Sequence, residues 1–154
     1  MKILISPFAQ KMRNKERNPK EYPHWERLLK LLKGHEIIQI GVPKEEKLVH
    51  DFRILKLKEI KQLLKEVDLF ISVDSFLPHL AKHVNKKGIV IFGQSDPQLF
   101  GYPENINIIK DNKYLRDNQY DIWENAKYRY DVFVEPEVIA DIVKNWKVDD
   151  GRNN

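Results

Sequence analysis

The chain has 154 residues, 42% of them hydrophobic and 32% charged, which bounds it to one globular domain with its own core and excludes a disordered chain. It has no cysteine, so disulfides, thiolate metal sites and a cysteine nucleophile are excluded, and no apolar run approaches the ~20 residues of a membrane span. The net charge of +4 gathers early, with Lys11, Arg13, Lys15, Arg17 and Lys20 in one stretch, a pattern that suits either a phosphate-bearing partner or a solvated lysine-rich surface.

The first apolar run, residues 2–6, is too short for a signal peptide and reads as a strand ending at Ser6-Pro7. Residues 8–19 are cationic and lack apolar periodicity, which predicts a long loop, often a functional one. Residues 22–33 place Trp25, Leu28, Leu29, Leu31 and Leu32 at helical spacing, with Pro23 suited to the first turn and Gly34 to the stop. A second strand is expected over 36–40, a short helix over 44–50 and a weak strand over 52–55. Residues 57–66 form an amphipathic helix with Leu57, Ile60, Leu63 and Leu64 on one face.

The chain is organised around residues 67–97. Two apolar runs, 69–73 and 89–92, have the length and β-branched content of fully buried strands, and the segment between them is long enough for the crossover helix that a parallel pair requires. A last strand is expected over 106–109, residues 110–130 are polar and aromatic with no assignable element, and 135–146 make a closing helix with Pro136 in its first turn. The division expected is one α/β domain over 1–148 and a disordered tail over 149–154. Alternating strands and helices predict a Rossmann-like α/β fold, its sheet mostly parallel with helices on both faces. In such a sheet ligands bind beyond the carboxyl ends of the strands, where this chain has Asp74-Ser75 and Gly93-Gln94-Ser95-Asp96-Pro97.

In order along the chain stand a strand followed by Ser6-Pro7, the group Lys20-Glu21-Tyr22-Pro23, and a strand followed by Gly41-Val42-Pro43-Lys44-Glu45. After them come Val73-Asp74-Ser75 with His79-Leu80-Ala81, and then Phe92-Gly93-Gln94-Ser95-Asp96-Pro97. From about residue 2 to residue 146 this order resembles the carboxy-terminal, nucleotide-sugar-binding half of glycosyltransferase family 9, the lipopolysaccharide heptosyltransferases of GT-B architecture. The resemblance implies that Ser6 lines a diphosphate cleft, that Lys20 neutralises the donor's phosphates and that Glu45 lies near the nucleoside. It further implies that Asp74, Ser75 and His79 face phosphates and sugar, and that Gly93 and Ser95 belong to the loop after the next strand. Elementary chemistry agrees: a diphosphate needs amide donors at a helix start and a nearby cation, and a ribose needs a carboxylate for its hydroxyls, from Glu45 or Glu46.

Most of these residues have an ordinary structural use as well. Asp74 and Ser75 serve as helix caps, His79 as a local hydrogen-bonder, and Glu45 beside Glu46 as a solvated pair. Two departures stand out: Phe76 occupies the position after Asp-Ser where the family has glycine, and the chain matches only one half of such an enzyme. Hence two readings stand. One is a glycosyltransferase-like domain binding a nucleotide-diphosphate sugar for inverting, metal-independent transfer, its acceptor site supplied by a homodimer mate or a partner protein. The other is a non-catalytic module of the same fold that binds a nucleotide or nucleotide sugar, or an assembly subunit. No catalytic base, metal site or cofactor is assigned. Nucleic acid is not expected as a partner, because no helix carries a basic recognition face. A cytoplasmic location is expected from the lack of cysteine.

Overall fold

β1 (Lys2–Ser6) carries Ile3, Leu4 and Ile5, all fully buried, and so unbroken an apolar run belongs to a strand covered on both faces. It pairs in parallel with β2 (Glu36–Ile40) on one side; on the other its neighbour is the strand Leu69–Val73. The computed structural model describes residues 1–148, and among these six strands form one all-parallel sheet. The others are β3 (Asp51–Arg53), β4 (Leu69–Val73), β5 (Gly88–Ile91) and β6 (Ile106–Ile108). Their order is β3-β2-β1-β4-β5-β6, so the winding reverses between β1 and β4, the switch point at which such sheets open a crevice. The expected tail, 149–154, lies outside the described residues.

Strand alternation divides the core in two. Ile3 and Ile5 of β1, Leu69, Ile71 and Val73 of β4, and Ile89 and Ile91 of β5 face α1 (Trp25–Leu31) and α5 (Pro136–Lys144). Leu4, Ile38, Phe70 and Val90 face the opposite way, onto α2 (Leu57–Glu66) and α3 (Phe76–His83). Between β4 and β5, Phe70 and Gly88 are register partners, and a Cβ at Gly88 would run into the Phe70 ring. The expected sheet with helices on both faces is therefore what the chain forms, and every strand of it is parallel. Among the described residues no helix is long and apolar enough to cross a membrane.

Local departures from expectation have physical causes. Residues 44–50 are not helical: Lys44 sits at φ 70°, and the fully buried Gln39 side chain bonds Glu46 O and Leu48 N at 2.8 Å each, holding that segment against β2 as irregular chain. β3 starts at Asp51 and ends at Arg53, earlier than its apolar residues suggest. α1 begins only at Trp25, because Tyr22 is buried and its hydroxyl donates to Val134 O at 2.9 Å, which holds the preceding turn in the core. A one-turn helix, α4 (Pro97–Phe100), follows β5, with Asp96 accepting from Gln98 N at its start. Residues 110–130 hold two short 3-10 turns, Asn112–Tyr114 and Trp123–Asn125, and otherwise irregular chain.

Candidate functional site

Beyond the carboxyl ends of β1, β2 and β4 lies a cleft of 830 Å³. Its walls include Ser6 from the end of β1, Gly41 and Glu45 after β2, Asp74 and Ser75 after β4, and Phe76 and His79 from α3. The 8–20 loop closes over it with Phe8, Lys11 and Lys20. That loop has no regular hydrogen-bond ladder, so a side chain shapes it: Asn18 is 7% exposed, donates to Gln10 O at 2.8 Å and accepts from Lys20 N at 3.0 Å. The second of these bonds is an Asx turn, and it turns Lys20 into the cleft.

At the centre, Lys20 Nζ lies 3.2 Å from Asp74 Oδ2, and Ser95 donates its hydroxyl to the same oxygen at 2.9 Å. The pair is well covered, with side-chain exposures of 22% for Lys20 and 10% for Asp74. Lys20 is thus no loose loop lysine, and its removal would leave a nearly buried carboxylate with one hydroxyl partner. Ser75 is the N-cap residue of α3, yet its hydroxyl makes no cap bond: Oγ is buried and has no hydrogen-bond partner. An unspent donor beside the free amides of a helix start is an anion-receiving arrangement. His79 Nδ1 shares a 2.7 Å hydrogen bond with the Tyr102 hydroxyl, the rings meeting edge to face at 5.5 Å.

On the β2 side, Glu45 packs its carboxylate against Gly41, where any Cβ would collide with it. Burial pushes the Glu45 carboxyl above its usual 4.5, Glu21 pushes it further, and the Val42 backbone and Lys11 pull against the rise. Glu21 is raised in the same direction by burial, against its hydrogen bond from Arg17.

Six of the eight residues expected at the site, Ser6, Lys20, Glu45, Asp74, Ser75 and His79, line this one cleft. Gly93 and Ser95 do not line it. A Cβ at Gly93 would lie 2.7 Å from the Phe133 ring, so that glycine makes room for the core, and Ser95, 2% exposed, acts through Asp74. Phe76, at the first position of α3, is 46% exposed and lines the cleft rather than packing in the core. Sequence reasoning missed Trp123, which reaches the cleft from the irregular 110–130 segment and holds its ring 5.2 Å from Lys20 Nζ. It also missed Tyr102 behind His79 and Asn18 behind Lys20; the Asn18-Pro19 step was the one available signal, a turn-forming pair just before the lysine. Among the described residues no group of three or more His, Asp or Glu gathers as a metal site.

No curated protein matches the chain. Solved structures do. The E. coli heptosyltransferase WaaC with ADP superposes with a TM-score of 0.60 at 18% identity, over 92% of this chain and 43% of that one. The dodecameric iron-containing heptosyltransferase TibC in complex with ADP-D-beta-D-heptose gives 0.54 at 16% identity, over 87% of this chain and 35% of TibC. TibC from enterotoxigenic E. coli H10407, also described as an iron-containing dodecameric glycosyltransferase, gives 0.52 at 16% identity. At such identities the likeness is one of fold, and the chain spans less than half the length of each of these proteins. The sequence itself is more specific: the family model of glycosyltransferase family 9 (heptosyltransferase) matches residues 2–125, and the chain belongs to that family.

Proposed function

We propose that the cleft binds a nucleotide-diphosphate sugar, and that the chain serves inverting, metal-independent sugar transfer in the cytoplasm, with the acceptor site supplied by a second copy or a partner protein. The observation that carries this reading is the convergence of Lys20, the unpartnered Ser75 hydroxyl and the start of α3 at the β1/β4 switch point. The ADP named with WaaC and the ADP-heptose named with TibC support the donor class, and the dodecamer named for TibC supports an assembly.

In this reading the diphosphate lies against Ser6, Ser75 and Lys20, and the ribose hydroxyls meet Glu45. The acceptor oxygen attacks the anomeric carbon as the carbon–oxygen bond to the diphosphate breaks, and the electron pair leaves with the nucleoside diphosphate. The attacking hydroxyl gives its proton to a base that accompanies the acceptor. Lys20 and the α3 amides hold the charge that grows on the leaving group, which is where fixed dipoles and cations contribute most. Asp74 keeps Lys20 in position while the cleft is empty and yields part of it to the phosphates when the cleft is filled.

Isothermal titration with ADP and ADP-heptose tests the reading. Binding by the wild type and a loss of about 1.5–3 kcal/mol in Lys20→Ala are expected, the range for a charge-assisted contact. Because Lys20→Ala also strands Asp74, its melting temperature falls without ligand, so the ligand-induced shift is the quantity to compare. At 100 times Kd a ligand adds about 2.7 kcal/mol. Absence of binding to any nucleotide would refute it. The second reading, a non-catalytic binding module, is favoured by Phe76, whose half-exposed ring stands in the cleft at a position where the resemblance implies glycine. Tight donor binding with no transfer or hydrolysis in the presence of any candidate partner would establish it.

A further inference from the structure

The 110–130 segment has no periodicity and little regular structure, yet it is firmly held. Arg116 donates to the carbonyls of Gln119 at 3.1 Å, Asp121 at 2.6 Å and Ile122 at 3.3 Å, and its guanidinium lies 3.6 Å from the centre of the Trp123 ring. The segment is fastened in turn to the loop after β5: Arg116 N and Gln119 Nε2 both donate to Gln94 O, Gln119 Oε1 accepts from Asp96 N at 2.8 Å, and Gln94 Nε2 donates to Lys127 O. Arg13 N donates to Glu124 at 3.2 Å and ties it to the 8–20 loop. Arg116 itself lies outside the cleft; Trp123 lines it.

Strand order gives the cleft two ends. Gly41 and Glu45 follow β2, on one side of the β1/β4 switch, and the segment bearing Trp123 is pinned to the end of β5, on the other. Lys20 and Asp74 lie between them. On the donor-site reading above, which this inference presupposes, the nucleoside occupies the Glu45 end and the diphosphate the centre. The group beyond the diphosphate then arrives at Trp123.

We propose that Trp123, held by Arg116, is the sugar-side wall of the cleft and a specificity-determining residue: its indole face packs against the C–H face of the transferred sugar ring. The chemistry fits. A pyranose ring presents an apolar face of C–H groups, and an indole offers a broad apolar surface with a negative π face that such C–H groups meet well. The Arg116 staple fixes the ring before the ligand comes, so little freedom is lost on binding.

The test compares two probes, ADP and ADP-β-D-heptose, on the wild type, Trp123→Ala, Trp123→Phe and Arg116→Met. Trp123→Ala should weaken ADP-heptose about tenfold, one decade of affinity, and change ADP by less than about twofold. Trp123→Phe should keep most of the wild-type preference for the sugar nucleotide. Arg116→Met should lose part of it with the melting temperature of the core transition unchanged, since Arg116 anchors only this segment. An equal loss for both probes in Trp123→Ala would overturn the proposal, because the indole would then act on the nucleotide or through Lys20 alone. No loss for either would overturn it as well. A wild type that binds ADP-heptose no better than ADP overturns the sugar wall but leaves the nucleotide site standing, whereas a wild type that binds neither refutes the donor-site reading and this inference with it.

Discussion

Where β1 and β4 end, Ser6 and Asp74 are carried by strands whose every residue but Lys2 is buried, and their positions follow from the sheet. Across the cleft, Trp123 is carried by a segment with no strand or α-helix, and its position follows from side chains bonded to backbone: Arg116 to three carbonyls, Gln119 to three further backbone groups. One wall is built by apolar burial, cooperative with the whole domain. The other is built by polar bonds within the segment and to the loop after β5, which can open without the sheet opening. A cleft made this way joins a wall set by the sheet to a wall set by local polar bonds.

The largest effect should come from the first wall. Ile71 is fully buried at the middle of β4, three residues before Asp74. Ile71→Ala should cost about 2–5 kcal/mol in denaturant unfolding, the range for truncating a buried aliphatic. It should also lower hydrogen-exchange protection throughout the sheet, while amides of the 110–130 segment that exchange by local opening change little. A loss confined to β4 would contradict a cooperative sheet.

The second wall should respond differently. Gln119→Ala leaves Asp96 N without its acceptor and removes the donor to Gln94 O and Arg116 O, a local cost of about 1–3 kcal/mol. Exchange of the amides of residues 94–127 should speed up, with the unfolding midpoint of the sheet nearly unmoved. A matching drop in global stability would show that the two walls form one cooperative unit.

That contrast also explains what the sequence disclosed. β1, β2 and β4 and helix α2 could be read to the residue because each carries a full apolar face, and the six expected residues that line the cleft came from the motif resemblance, Asp74 and Ser75 also from their place at a strand end. The segment 44–50 misled, since its order comes from one buried amide, Gln39, on a neighbouring strand. Trp123 was invisible for a related reason: an indole in a polar stretch has no period to place it, and its partner Arg116 acts on carbonyls that any sequence possesses. Gly93 and Ser95 were expected at the site from the motif and from their place beyond a strand end, whereas one yields space to Phe133 and the other supports Asp74.

A smaller effect is expected at the cleft mouth. Phe76→Gly should cost only about 1 kcal/mol, chiefly the helix propensity lost at the start of α3, because the ring is 46% exposed. If the ring narrows the donor site, affinity for ADP-heptose should rise on its removal, and titration reads this directly. A loss of several kcal/mol in a melt would mean that the ring packs as core.

The smallest stability effect, and the most informative in sign, belongs to Glu45. Its carboxyl is held above the usual 4.5, mainly by burial. The folded state therefore binds that proton more tightly than the unfolded state, and protonation favours folding. The stabilising share of Glu45 is fully present below about pH 4.5, the unfolded value, and is lost as pH rises through the folded value. Glu45→Gln removes the titration, so the variant should melt slightly higher than wild type at pH 7 and no higher at pH 4. Binding should move the other way. Glutamine keeps an acceptor oxygen but loses the charge that strengthens a hydrogen bond to a ribose hydroxyl, so affinity for ADP should fall by about 1 kcal/mol at pH 7. A carboxylate kept only for the fold would not show that opposition, since removing it could not raise stability and lower affinity together. Melts at the two pH values and one ADP titration decide the matter: a variant less stable at pH 7, or one that binds ADP as well as wild type, would take Glu45 out of the site.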